Sequence, residues 1–324
     1  MKIIYHCWGA AHSSVTAAAI HLGLLPEDRV PSAVELLKLP YFDKQTRAGH
    51  GVLHFYGVDQ AGNEVFILGR ESHAVLVPRI VLGLAAVVGV DPHELRFVDT
   101  MPCVNLLMML GGFLSRSAGL VFPGRSIVTF GTRLAYMALS AVARRERERA
   151  AKPEPVATRE RTPPAVVYNC FGSAHSSVVT AAIHLGLLPC DRVPSSREIA
   201  SVPLYDRVDT AEIGTIFFAG KGADGRNVYI LGAGPAKALL PKLAGSLLRA
   251  YGVQPEDVVL VNCLKNIGLL TRVGGFLSRE LGWVKLGRPM SAYGIRRCYD
   301  RLAASALQPG NALTDKERCL IMEK

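Results

Sequence analysis

Three things are missing from this chain, and each absence narrows what it can be. There is no Cys-x-x-Cys pair, and the seven cysteines are an odd number. The opening Met1-Lys2-Ile3-Ile4-Tyr5-His6 has no long apolar leader, so reduced thiols in a cytoplasmic protein are expected. There is no unbroken apolar run of membrane length. The most apolar stretch, Val75 to Val90, is interrupted by Pro78-Arg79 and falls short of the ~20 residues a span needs, so no membrane partner is expected. Nor is there an aromatic-interleaved basic strand, a zinc spacing or a helix-turn-helix pattern, so the net charge of +10 does not imply nucleic acid. Much of that charge sits in Arg144 to Lys152 and Arg159 to Arg161, where alternating charge and proline read as the end of a solvated helix running into a linker.

What the chain does have is one domain written twice. Tyr5-His6-Cys7-Trp8-Gly9-Ala10-Ala11-His12-Ser13-Ser14 returns as Tyr168-Asn169-Cys170-Phe171-Gly172-Ser173-Ala174-His175-Ser176-Ser177, an offset of 163 that still holds at Tyr136 and Tyr299. Most aligned positions differ. Identity is densest in two places: from Tyr5 to Pro26, and across Gly-Gly-Phe-Leu-Ser-Arg (Gly111 to Arg116, then Gly274 to Arg279). A repeat this long is a whole domain rather than a solenoid unit. The expected division is a first repeat at 1–143, a linker at 144–164, a second repeat at 165–307 and a tail at 308–324.

Each copy alternates strand and helix signals. Lys2 to Cys7 is a β-branched, aromatic run; a small-residue loop follows, then a helix to about Leu25 in which Ser13 or Ser14 serves as the cap. A hairpin is expected from Gly51 to Gly69, and a helix over about 74–88. Then come a strand at Leu95 to Asp99, a helix from Val104 to Ser115, an extended stretch near Leu120 to Phe122 and one amphipathic helix from Ile127 to Arg147. The fold class is α/β: two tandem homologous sandwich domains, each with a mixed, mostly parallel sheet.

A loop leading from the first strand into the first helix lies at the carboxyl edge of the sheet, where such folds place ligands, and a helix start favours anions. Gly9, His12, Ser13 and Ser14, with Gly172, His175, Ser176 and Ser177, are therefore candidate anion-binding residues. A Walker A loop would need a second glycine and a lysine, both missing here, and Asp99 is replaced by Asn262 in the second copy. Nucleotide hydrolysis is not expected. The spacings Cys7-x5-Ser13-Ser14 and Cys170-x5-Ser176-Ser177 resemble the phosphate loops of low-molecular-weight tyrosine phosphatases and, more nearly, of the sugar-phosphotransferase IIB domains. That comparison makes Cys7 and Cys170 candidate nucleophiles, against the plainer reading of buried small hydrophobes.

Arg116 and Arg279 close the second shared block. Either they complement a helix C-terminus or they reach the loop and complete an anion site. Arg125 with Arg288 and Arg133 with Arg296 also match, and the paired glycines are expected to bring a helix close to the sheet. His21 and His184 read as buried packing residues. His6, His50, His54 and His73 align with Asn169, Ile213, Phe217 and Ala236, so no metal set is shared and no metal or cofactor is expected.

Taken together, Tyr-x-Cys-x-Gly-x-Ala-His-Ser-Ser, Ile-His-Leu-Gly-Leu-Leu-Pro and Gly-Gly-Phe-Leu-Ser-Arg resemble a bacterial family, domain of unknown function 3189, found chiefly in Firmicutes. Its members usually look like single-copy proteins, so the tandem form is a departure, and the resemblance implies no activity. The residues themselves leave three readings open. The first is binding of a phosphorylated small molecule, inorganic phosphate or nucleotide-like anion at each loop. The second is cysteine-dependent phosphoryl transfer or phosphate-ester hydrolysis. The third is a structural or partner-binding module without catalysis.

Overall fold

A computed structural model of the chain describes residues 1–151, 162–254, 256–279 and 281–309. Residues 152–161 of the expected linker and 310–324 of the expected tail lie outside the described residues, and the start of that linker, up to Ala150, is helical. The first repeat runs β1 Lys2–Cys7, α1 Ser13–His21, α2 Ala33–Lys38, β2 Leu53–Val58, β3 Glu64–Gly69, α3 Leu76–Val87, β4 Leu95–Asp99, α4 Leu106–Gly112, α5 Val121–Leu134 and α6 Tyr136–Ala150. The second repeats this order: β5 Ala165–Cys170, α7 Ser176–His184, α8 Ser196–Ser201, β6 Ile216–Lys221, β7 Asn227–Gly232, α9 Leu240–Ala250, β8 Val258–Asn262, α10 Leu269–Arg279, α11 Val284–Arg297 and α12 Tyr299–Leu307.

Each sheet has four strands, ordered β2-β3-β1-β4 and β6-β7-β5-β8. The first strand of each repeat is central and parallel to both neighbours, and only the hairpin's outer strand runs antiparallel. The mixed, mostly parallel α/β fold expected of each repeat is what forms. A central parallel strand is covered on both faces, and β1 is accordingly apolar with Ile3, Ile4 and Tyr5 buried. Every residue of α1 is buried, because it lies between the sheet and α6 in one core with Ile3, Tyr5, Ile67, Tyr136 and Leu139.

The expected single helix from Ile127 to Arg147 is two, α5 and α6, meeting at 59°. Its halves serve different partners, since α5 packs along α4 whereas α6 packs along α1. Side chains fix the corner: Arg133 Nε donates to the Pro31 carbonyl at 3.0 Å, and Tyr136 donates its hydroxyl to the Pro26 carbonyl. Arg296 and Tyr299 do the same with Pro194 and Pro189. Short α2, opened by a Ser32–Glu35 capping box, has no counterpart among the sequence expectations.

Compact units follow the repeats except at Arg79–Gly89, which groups with the second unit. Among the described residues no single helix is long and apolar enough to cross a membrane.

The glycines expected to bring a helix against the sheet instead bring two helices together. A Cβ on Gly111 would stand 2.3 Å from Val128 N of α5, and one on Gly274 would stand 2.5 Å from Ser291 N of α11. Gly111→Ala therefore has to separate α4 from α5. We expect it to lower stability by roughly 1–3 kcal/mol, the usual cost of overpacking, read as an earlier urea midpoint; an unchanged midpoint would show that the two helices are not packed this closely.

Candidate functional site

Between β1 and α1 the chain makes a tight loop. Ala10 is left-handed at φ 51°, as is Ser173 at φ 52° in the second repeat. Such a conformation is costly for a residue with a side chain, and its recurrence at the same place marks a shape held in both copies. The loop lies directly on the end of β3, where a Cβ at Gly69 would stand 2.9 Å from Gly9 C.

Ser13 and Ser14 do not cap α1. The capping position is His12, which makes no side-chain cap bond, and both serines lie inside the helix. Their hydroxyls are drawn elsewhere: Ser14 Oγ pairs with Cys7 Sγ at 3.2 Å, and Ser13 Oγ accepts from Thr100 Oγ1 at 2.9 Å. The second repeat keeps the Cys170–Ser177 pair at 3.0 Å. It has Cys263 in place of Thr100, however, and the buried Ser176 hydroxyl is left without a partner. Both helices thus start uncapped. The N–H groups of Ser13, Ser14 and Val15 meet no acceptor among the described residues, and neither do those of Ser176, Ser177 and Val178. Such a terminus attracts negative charge.

Beside the loop lies a group the sequence expectations missed. Asp43 is left-handed at φ 51° and has no solvent exposure. Its carboxylate accepts from His12 Nε2 at 3.2 Å, from Ser115 Oγ at 2.8 Å and from Arg125 Nε at 2.8 Å. Burial opposes its ionisation, but these hydrogen bonds outweigh burial and bring its pKa down to about 2. Asp206 repeats the arrangement, with His175 at 3.2 Å, Ser278 at 2.9 Å and Arg288 at 2.8 Å. An ionised Asp43 requires His12 to donate from Nε2, so its ring is fixed in position and tautomer. The ring lies against Gly112, where a Cβ would meet it at 3.2 Å.

The second shared block now has a role residue by residue. Gly111 admits α5, Gly112 admits the His12 ring, and Ser115 holds Asp43. Arg116 donates to the carbonyls of Gln45, Asp43 and Lys44 at 2.7, 3.0 and 3.2 Å, so its guanidinium fastens the Asp43 loop as well as lining the pocket. Arg279 makes no such bonds among the described residues, and its charge adds a smaller pull to the backbone and Thr210 hydrogen bonds that hold the Asp209 carboxyl down. Arg125 and Arg288, matched between copies in the sequence, are the Asp43 and Asp206 partners.

A cavity opens over each loop. The first, of 460 Å³, is lined by Cys7, Gly9, His12, Ser13 and Arg116, with Trp8 and Phe113 on its walls. The second, of 310 Å³, is lined by the matching Cys170, Gly172, His175, Ser176 and Arg279, with Phe171 and Phe276. Ser14 and Ser177 lie outside the lining, behind the cysteines. Neither cavity has a carboxylate among its described lining residues. Among the described residues no group of three or more His, Cys, Asp or Glu is placed to hold a metal.

Two other networks sit apart from the cavities. Tyr5, His21 and Asp59 form a buried chain at 2.7 and 3.0 Å, and Tyr168–His184–Asp224 rebuilds it with an aspartate two positions further on. In the first repeat alone, Arg70 bridges His6 at 3.0 Å and Asp99 at 3.0 Å, and burial pushes the His6 pKa down to about 4. The second repeat replaces the whole trio with Asn169, Ala233 and Asn262.

No curated protein and no solved structure matches the chain. One family model does, described as "Protein of unknown function (DUF3189)", over residues 2–147 and again over 165–306.

Acid should destabilise this repeat in two steps. The folded pKa of His6 lies below the ordinary value near 6.5, so stability falls as pH drops from about 6.5 towards 4 while the unfolded chain takes up the proton that the fold refuses. Asp43 stabilises above its ordinary value near 4, and that contribution is lost as pH falls towards 2. His6→Asn should shallow the first step and leave the second, measured as denaturation midpoints across pH. Asp43→Asn should cost about 2 kcal/mol, less than a fully buried pair because Arg125 remains 41% exposed.

Proposed function

Because the chain belongs to the DUF3189 family through both of its repeats, and that description carries no activity, we propose from the pocket geometry that each repeat binds a phosphate-bearing small molecule or a similar anion over its β1–α1 or β5–α7 loop. The observation that carries this reading is the pair of uncapped helix starts, each opening into a cavity with cationic and no acidic described lining. Free N–H groups, a positioned histidine and a guanidinium suit an oxyanion's several acceptors. The Asp43 and Asp206 networks hold the histidines and the arginine-bearing helices in place before the ligand arrives, which lowers the cost of binding.

A second reading is favoured by one specific observation. Cys7 and Cys170 line their cavities and each shares a hydrogen bond with a serine, which suits cysteine-dependent phosphoryl transfer. There the thiolate attacks phosphorus, a phosphorus–oxygen bond breaks, and the leaving alkoxide takes a proton before water hydrolyses the thiophosphate.

On titration with phosphate, the N–H signals of Gly9, His12 and Ser14, and of their second-repeat counterparts, should shift. Unmoved spectra at millimolar phosphate would overturn the binding reading. For the cysteine reading, iodoacetamide should modify Cys7 and Cys170 faster than it modifies the exposed Cys190, and Cys7→Ser with Cys170→Ser should abolish turnover of p-nitrophenyl phosphate. Slower modification without turnover would leave only binding.

A further inference from the structure

Set side by side, the two cavities agree at the loop and disagree at the rim. Met108 and Met109 of the first stand where the second has Thr271 and Arg272. On the other side, Arg47 and His50 of the first stand where the second has Thr210 and Ile213. The second cavity also takes in Lys237, whose counterpart by the repeat offset is Ala74, outside the lining of the first.

Resting on the anion reading above, we infer that the two sites have divided their ligands. The first takes a singly phosphorylated molecule with an apolar body, and the second takes a compact polyanion of the diphosphate type.

Charge and available donors carry the second half of this inference. Lys237, Arg272 and Arg279 all line the smaller cavity. Lys237 has no side-chain partner among the described residues, and Arg272 gives only Nη2, to the Leu264 carbonyl at 3.2 Å. A compact polyanion offers enough oxygens for the α7 N–H groups and several cations at once.

The first cavity lacks that surplus. Its Ser13 hydroxyl is already engaged by Thr100, and Arg116 is committed to three carbonyls. His50 Nδ1 faces Glu71 at 3.0 Å. Arg47 is the lining cation left uncommitted among the described residues. The space is larger, 460 Å³ against 310 Å³, and its walls carry Met101, Val104, Met108 and Met109 beside Trp8 and Phe113. Thioether and aromatic walls of this kind accept a flat or aliphatic body without requiring polar contacts from it.

Pyrophosphate and phenyl phosphate, titrated separately into the full chain, test this by site-resolved chemical shifts. Pyrophosphate should move Gly172 and Ser176 at lower concentration than Gly9 and Ser13, and phenyl phosphate should show the reverse order. Lys237→Ala with Arg272→Ala alters only exposed rim side chains. It should weaken pyrophosphate roughly tenfold, about what one charge-assisted contact contributes, and leave phenyl phosphate at the first site unchanged. Met109→Arg, also at an exposed position, should tighten pyrophosphate at the first site. Equal preference of both sites, a reversed order, or indifference to the rim variants overturns the division of ligands while leaving anion binding intact. No shift with either probe overturns anion binding itself, and the division with it.

Discussion

An ionised carboxylate sealed from water persists only where donors surround it, and in each repeat one such group organises the rest. Asp43 receives a histidine from the start of α1, a serine from the turn Phe113–Ser117 after α4 and an arginine from α5. The start of α1 and the α4–α5 region, about 100 residues later, are thereby held at one point, and the Asp43 backbone adds a further link by donating to the Ala11 carbonyl at 3.0 Å. The strain of left-handed Tyr41 and Asp43 is sustained by these bonds, and Leu204 and Asp206 carry the same strain in the second repeat. A salt bridge of this kind contributes less to net stability than to geometry. Here the geometry it fixes is the orientation of His12 over the helix start.

That constraint explains why the repeats diverged unevenly. Groups tied to Asp43 or Asp206 cannot change singly without leaving a buried charge short of a donor, and they remain identical: His12 and His175, Ser115 and Ser278, Arg125 and Arg288. Side chains at the cavity rim carry no such debt. Met109 and Arg272, or Arg47 and Thr210, differ in charge while the loop beneath them keeps its shape. A rigid floor with a permissive rim lets recognition drift without refolding.

Much of the fold was legible in the sequence because its signals are local. The β-branched run from Lys2 to Cys7, the hairpin turn Asp59-Gln60-Ala61-Gly62-Asn63 and the helical spacing after Ser14 depend on neighbours a few residues apart. The corner at Ala135 was hidden because α5 and α6 share one amphipathic pattern and differ only in what they pack against. The loop emerged from the comparison of copies, yet its serines were misassigned. A Ser-Ser pair at a helix start resembles a cap, and only the positions of Cys7 and Thr100 decide where the hydroxyls turn. Asp43 is a lone acid in a drifted stretch, with no motif around it that implies a buried carboxylate. Its one sequence signal was an aspartate kept at the same offset as Asp206, beside the equally retained Pro40 and Pro203.

The first-repeat trio of His6, Arg70 and Asp99 bears on the path by which the copies separated. Of the two charged members Arg70 is the buried one, with a side chain 6% exposed, whereas Asp99 is 37% exposed. Losing the aspartate first strands a guanidinium in the interior, but losing the arginine first leaves a carboxylate that water can still reach. The route between His-Arg-Asp and Asn-Ala-Asn is therefore steep in one order and shallow in the other. On the shallow route the arginine is the last residue to arrive or the first to leave.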